Sequence, residues 1–167
     1  MQKFISKSEL QTRKFAEKIA VDILQLKNLK QAVVLGLVGD LGAGKTTFAQ
    51  SLARALGVRW RVLSPTFLII KTYRLKVSAE GGFSKGGKGE SLPAGRHGLK
   101  LVHIDAYRLN NPQELLDLGW EKKMADAGNI VVVEWADKIK DLMLKNAMWI
   151  HFEHGENEKT RNLQVLG

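Results

Sequence analysis

The stretch Gly39-Asp40-Leu41-Gly42-Ala43-Gly44-Lys45-Thr46 satisfies the pattern G-x-x-x-x-G-K-[ST] in full. Three glycines let the backbone curl until its N–H groups point into one concavity. Lys45 can then reach the outer phosphates of a nucleotide, and the Thr46 hydroxyl can hold Mg²⁺. The setting matches as well. Ala32 to Val38 reads as a buried strand entering the loop, and Thr47 to Leu56 reads as a helix leaving it. Bound phosphates would sit at that helix's N-terminus, where free N–H groups and the helix dipole favour negative charge. Gly57 stands just past Leu56, where a C-terminal glycine belongs.

The rest of the chain must supply a sheet for that loop. With 167 residues it reads as one domain large enough for a real core. No apolar run approaches a membrane span, and Met1 to Ser6 lacks the apolar core of a secretion signal. There are no cysteines, which excludes disulfides and thiolate metal sites and fits a reducing cytoplasm. The net charge of +9 suggests an anionic partner, although Lys and Arg are spread without a dense run.

In chain order, Ser6 and Glu9 fit a capping box that opens an amphipathic helix over residues 7 to 27. Its apolar stripe is Ala16, Ile19, Ala20 and Ile23, extended by Leu24 and Leu26. After the loop and its helix comes Ser64-Pro65-Thr66, a hydroxyl-bearing turn. Its position suits either a γ-phosphate-sensing switch or an ordinary turn. Phe67 to Leu75 reads as a strand. The character changes over residues 76 to 98, where Ser78 to Glu90 carries many glycines and almost no apolar side chains, and a flexible insertion in a hairpin connection is expected.

Leu99 to Ala106 is the next strand, with His103, Asp105 and Tyr107 on one side and Val102 and Ile104 on the other. Asn111 and Pro112 form a helix start, as N-cap and first helical residue. Ile130 to Val133 is a β-branched run buried on both faces, ending in Glu134 and Trp135. A carboxylate there lies where nucleotide-binding α/β sheets hold a metal, because their ligands bind off the carboxyl ends of parallel strands. Asp137 to Lys145 suggests a short helix. Ala147 to His154 and Arg161 to Leu166 suggest a terminal antiparallel pair. His151 and His154 are three apart on a strand, hence on opposite faces, and do not make a metal pair.

These motifs, in this order, carry a family resemblance. The glycine loop continuing into Thr47-Phe48, then Ser64-Pro65-Thr66-Phe67, His103-Ile104-Asp105-Ala106-Tyr107-Arg108-Leu109 and Val133-Glu134-Trp135, together resemble the TsaE family. Those proteins are small bacterial P-loop ATPases of tRNA threonylcarbamoyladenosine synthesis. The resemblance implies a mostly parallel central sheet flanked by helices, to which the residues themselves add the C-terminal antiparallel strand pair. It implies ATP and Mg²⁺ as ligands, TsaB- and TsaD-type proteins as partners, and tRNA contact through that complex. It assigns Thr46 and Glu134 to the metal, and Asp105 to the attacking water or the metal shell. Lys45 joins Asp105 and Glu134 as the catalytic set. Asp40, Leu41, Gly42, Ala43, Gly44, Lys45, Thr46 and Thr47 would cradle the nucleotide. Ser64 and Thr66 would form the switch loop, and Trp135 a nucleotide-side aromatic. By looser similarity, Thr12 and Arg161 fall where family members touch the nucleotide.

Two features depart from the pattern. Phe67 to Lys71 lacks the polar residues usual after the switch, and the glycine-rich insertion is long. Two other classes compete. A small-molecule or nucleoside kinase needs a mobile lid bearing arginines, and the insertion has only Arg96. A nucleotide-sensing adaptor would bind ATP and dock a partner without turnover. A GTPase is disfavoured, since no Asn-Lys-x-Asp guanine-reading motif occurs.

Overall fold

The computed structural model describes residues 2–58, 68–75, 98–157 and 160–166. The first element is a strand, β1 (Gln2–Ser6), where the sequence reading has only a helix cap. Phe4 is its one apolar residue packed on the core, too little for a strand signal, while Ile5 faces solvent. Helix α1 (Glu9–Gln25) therefore starts later than expected. Its N-cap is Ser8, whose Oγ accepts from the Gln11 N–H, while Gln11 Oε1 accepts from the Lys7 N–H. Thr12, Phe15, Ala16, Ile19, Ala20, Ile23 and Leu24 are buried along one face. Leu26 leaves the helix in an extended conformation and is exposed, so it does not extend the stripe.

Strand β2 (Val33–Gly39) enters the glycine loop, and helix α2 (Lys45–Ala55) leaves it. Gly57 closes α2 at φ 89°. The Gly57 N–H bonds the Arg54 carbonyl and the Val58 N–H bonds the Ala53 carbonyl, each at 3.0 Å. That pairing satisfies carbonyls the helix end would otherwise leave open. Strands β3 (Ile70–Arg74) and β4 (Lys100–Asp105) follow. Helix α3 (Gln113–Asp117) is capped as expected, since Asn111 Oδ1 accepts from the Glu114 N–H. Glu114 returns the bond to the Asn110 and Asn111 N–H groups. Gly119, at φ 78°, turns the chain into a second short helix, α4 (Trp120–Ala125). Strand β5 (Asn129–Glu134) is buried at all six positions. The expected helix after it is a 3₁₀ segment, Ala136–Leu142, broken at Ile139. Strands β6 (Met148–His154) and β7 (Arg161–Leu166) end the described chain. The Ser64–Thr66 turn and residues 76–97 of the insertion lie outside the described residues.

The strands form one sheet in the order β1-β7-β6-β2-β5-β4-β3. The expectation of a mostly parallel sheet needs correction. The three central pairings, β6–β2, β2–β5 and β5–β4, are parallel, and the three outer pairings are antiparallel. For the β6–β7 pair the physical reason is the connection length. The central strands are separated by helical segments, which allow a crossover, whereas a turn of a few residues joins β6 to β7 and permits only an antiparallel return.

Alternation along the strands divides the core in two. Leu35, Leu37, Leu101, Ile130, Val132 and Ile150 face α1 and α2. Val34, Val102, Ile104, Val131 and Val133 face α3, α4 and the 3₁₀ segment. Four aromatic rings tie the first layer together. Phe4 stacks on Phe15 at 4.7 Å, Phe15 meets Phe48 at 6.0 Å, and Phe48 meets Phe152 edge-on at 5.6 Å. Such pairs each contribute about 0.5–1.5 kcal/mol beyond their burial.

On the second face, Gly36 lets the 3₁₀ segment close on β2. A Cβ there would lie 3.0 Å from both Ala136 Cβ and Trp149 Cε3, and 2.9 Å from Met143 Cε. Met143 can move aside, but Ala136 is anchored by its own backbone. Gly36→Val is therefore expected to destabilise the chain by about 1–3 kcal/mol through overpacking, read as a lower midpoint in urea unfolding at unchanged slope.

Candidate functional site

The site forms where β2, β4 and β5 end side by side. Gly39 begins the loop at φ 143°, and a Cβ on it would sit 2.2 Å from the Phe152 carbonyl oxygen. Only glycine fits a backbone so placed. Gly42 and Gly44 also have positive φ, at 74° and 104°. A Cβ on Gly44 would meet no heavy atom within 4 Å, and one on Gly42 would meet only His154 Cε1, at 3.8 Å. At these two positions it is the positive φ, and not crowding, that favours glycine. Leu41 is exposed, and Ala43 is buried under the turn.

Lys45, the first residue of α2, is 5% exposed. Its Nζ donates to the carbonyls of Gly39 at 2.6 Å and Asp40 at 2.8 Å, and lies 3.7 Å from the Trp135 ring centroid. Burial lowers its pKa from the ordinary lysine value, opposed by the charges of Glu134, Asp137, Asp105 and Asp40. Next to it, the Thr46 hydroxyl donates to Glu134 Oε2 at 2.6 Å. Thr47 lies one residue on, half-buried, its carbonyl accepting from the Ser51 hydroxyl at 2.7 Å.

Glu134 is the last residue of β5, only 2% exposed, and stands in register with Asp105 of β4 and Leu37 of β2. Its second oxygen, Oε1, lies 2.8 Å from Nε2 of His103, itself 1% exposed. Asp105 Oδ1 accepts from the Tyr107 N–H at 3.0 Å. Trp135 follows Glu134 at φ 59° and ψ 41°, a left-handed conformation that turns its ring back over Lys45 and against Tyr107, at 5.0 Å.

A second rim comes from the β6–β7 pair. Arg161 Nη2 donates to the Gly42 carbonyl, and His154 Nε2 stands by the Leu41 carbonyl, both at 3.2 Å. Arg161 is paired with His154 on one side and Ser6 on the other. The Ser6 hydroxyl bonds Thr12 Oγ1 at 2.8 Å. Thr12 is 4% exposed, so it lies behind this rim, its hydroxyl engaged with Ser6.

The structure thus brings together Asp40 to Thr46, Asp105, Glu134, Trp135 and Arg161, while Ser64 and Thr66 fall outside the described residues. Sequence reasoning undervalues three side chains. His103 and Tyr107 are noted by strand parity and within the family motif but given no task, and His154 only as half of a rejected metal pair. Period-two alternation with Asp105 carried the signal for the first two. Nothing local marks His154, whose contact with Leu41 spans 113 residues.

The donor set suits a small hard cation: a hydroxyl and a carboxylate oxygen already in contact, with Asp105 on the neighbouring strand. Among the described residues no group of three or more His, Cys, Asp or Glu forms a metal cluster. No described helix is long and apolar enough to cross a membrane.

Fold and site define a mixed α/β protein built on a strand–glycine loop–helix unit with acidic groups at adjacent strand ends. A family model described as "Threonylcarbamoyl adenosine biosynthesis protein TsaE" matches residues 6–163, and the chain belongs to that family. A curated relative from Bacillus subtilis, "tRNA threonylcarbamoyladenosine biosynthesis protein TsaE", is 34% identical over 83% of this chain and 73% of its own length. The protein of that name from Rickettsia conorii is 29% identical over 91% of this chain and 71% of its own. The crystal structure of YdiB from the same Bacillus species superposes with a TM-score of 0.65 at 26% identity, covering 97% of this chain and 82% of that one.

The lowered pKa of Lys45 has a testable sign. The unfolded chain holds this proton at a pH where the folded chain has released it. Stability should therefore rise with pH between the lowered value and the ordinary one. Lys45→Met removes that increment, so the gap between parent and variant unfolding free energies is expected to shift toward the parent across that alkaline window. Parallel denaturation curves at stepped pH measure it.

Proposed function

We propose that this chain is a P-loop, Mg²⁺-dependent ATPase that supports threonylcarbamoyladenosine modification of tRNA, working in the cytoplasm with TsaB- and TsaD-type proteins. The observation that carries this reading is the 2.6 Å contact between Thr46 Oγ1 and Glu134 Oε2. It joins the phosphate-loop hydroxyl to a strand-end carboxylate, the two protein groups a P-loop enzyme uses around its metal. Family membership supports the pathway, and the names of the relatives supply the modified nucleoside.

The residues divide the work as follows. The N–H groups of residues 40 to 46 and the start of α2 bind and orient the phosphates. Lys45 exchanges the Gly39 and Asp40 carbonyls for phosphate oxygens, and there stabilises charge developing between the β and γ groups. Thr46 and Glu134 would hold Mg²⁺, which supplies neutralisation of phosphate charge when bound. Asp105, fixed by the Tyr107 N–H, lies one strand over and serves water orientation. Trp135 covers Lys45 and limits water on that side. Arg161, with Thr12 behind it, borders the loop from the hairpin side.

Catalysis of this kind is positioning and electrostatics, not covalent chemistry. Hydrolysis by the chain alone is slow and is accelerated by the partner proteins, while tRNA is engaged through the complex. The net charge of +9 favours such an anionic assembly.

The test is a phosphate-release assay with and without the two partners, coupled to tRNA modification. Lys45→Ala is expected to abolish nucleotide binding. Glu134→Gln is expected to keep binding and lower the hydrolysis rate by about 10²-fold, the scale for loss of one preorganised charge-stabilising group. A phosphorylated metabolite formed instead of free phosphate would replace this reading with a kinase. Modification that persists when Glu134→Gln has stopped hydrolysis would replace it with an adaptor.

A further inference from the structure

His103 is a buried polar residue to which the proposed mechanism gives no task. It sits in β4, 1% exposed, in register with Val132 and two residues before Asp105. Its Nε2 lies 2.8 Å from Glu134 Oε1, while its Nδ1 is buried without a hydrogen-bond partner among the described residues. A carboxylate accepts and does not donate, so the hydrogen in this contact is on Nε2. A histidine serving only to fill a core would be better replaced by an apolar side chain, since an unpaired buried nitrogen costs free energy. The side chain is nonetheless there, with its one hydrogen bond among the described residues spent on one oxygen of the carboxylate whose other oxygen meets Thr46.

From this we infer that His103 is a positioning residue that fixes the rotation of the Glu134 carboxylate. The last torsion of a glutamate is broad and nearly two-fold, so nothing intrinsic holds its two oxygens apart in role. The His103 N–H claims Oε1 and leaves Oε2 aimed at Thr46. Asp105 receives the equivalent restraint from the Tyr107 backbone N–H. Each of the two strand-end carboxylates thus has one oxygen held by a donor of β4 or the turn after it. The inference rests on the Mg²⁺-dependent ATPase reading, because the orientation matters through the metal that Thr46 and Glu134 would share. Groups that orient metal-binding side chains typically change metal affinity by about 10–100-fold when removed.

The experiment uses the full chain and calorimetric titration of ADP at stepped Mg²⁺ concentrations, with His103→Leu and His103→Gln beside the parent. His103→Leu is expected to bind ADP in EDTA as the parent does, but to need about 10–100-fold more Mg²⁺ for the same enhancement. His103→Gln keeps a donor and is expected to recover most of that loss. ATP hydrolysis at limiting Mg²⁺ should lose kcat with little change in KM. An unchanged Mg²⁺ requirement in a folded His103→Leu chain overturns the inference, and so does a glutamine variant as impaired as the leucine one. If the leucine variant does not fold, the parent's own imidazole decides. Its ¹⁵N spectrum should give a protonated Nε2 for His103, shifting when Mg²⁺ is added to the ADP complex. No shift overturns the proposal. A parent that binds ADP with no response to Mg²⁺ defeats the ATPase reading and this inference together. A responsive parent with an equally responsive His103→Leu defeats the inference alone.

Discussion

The pairing of β5 with β2 and β4 puts Leu37 on one side of Glu134 and Asp105 on the other. Side chains alternate across a sheet, so a slip of one residue in either ladder would turn Glu134 away from Thr46 and toward α4 and the 3₁₀ segment. The same slip would carry Ile130 and Val132 out of the layer they share with α1 and α2. The apolar pattern of β5 therefore protects the geometry of a residue that contributes no apolar contact itself. Register, and not local conformation, delivers the carboxylate to the end of the glycine loop.

Charge is arranged around that register in a way that costs the free chain stability. A lysine that is almost fully buried leans on carbonyls and an aromatic face, with four acidic side chains acting on it through space. The carbonyls of Gly39 and Asp40 satisfy its donors but do not neutralise its charge. Anionic phosphate would do both. The left-handed Trp135 belongs to the same pattern, a local conformation that the surrounding packing sustains.

Much of this was legible in the sequence where the signal is local or periodic. The glycine loop, the β-branched run of β5, the Asn111–Pro112 helix start and the Gly57 stop are each written within a few residues, and each is found in the structure. Strand β1 was not legible, because a five-residue edge strand with one inward aromatic has no period to read. The parallel character was overstated because the flanking motifs imply helical crossovers, whereas β7 returns beside β6 after a short connection and β1 and β3 pair antiparallel at the two edges. At the site, residue types were readable but contacts were not. The bond from His103 to Glu134 spans 31 residues, and the clasp of Arg161 on Gly42 spans 119. Both depend on which strands become neighbours.

The outer rim of the loop has a further property. Ser6, from the first strand, stands in register with Arg161, from the last, and that arginine holds the Gly42 carbonyl. Contacts between such distant positions form only after long loops have closed, and they form slowly. On the ribosome, β2, the glycine loop and α2 emerge well before β7. The loop's far side then stays unsupported until the final strand arrives, and β1 waits without its partner through the synthesis of everything between them. Among the described elements, the support that the hairpin gives this side of the loop is thus the last to be synthesised.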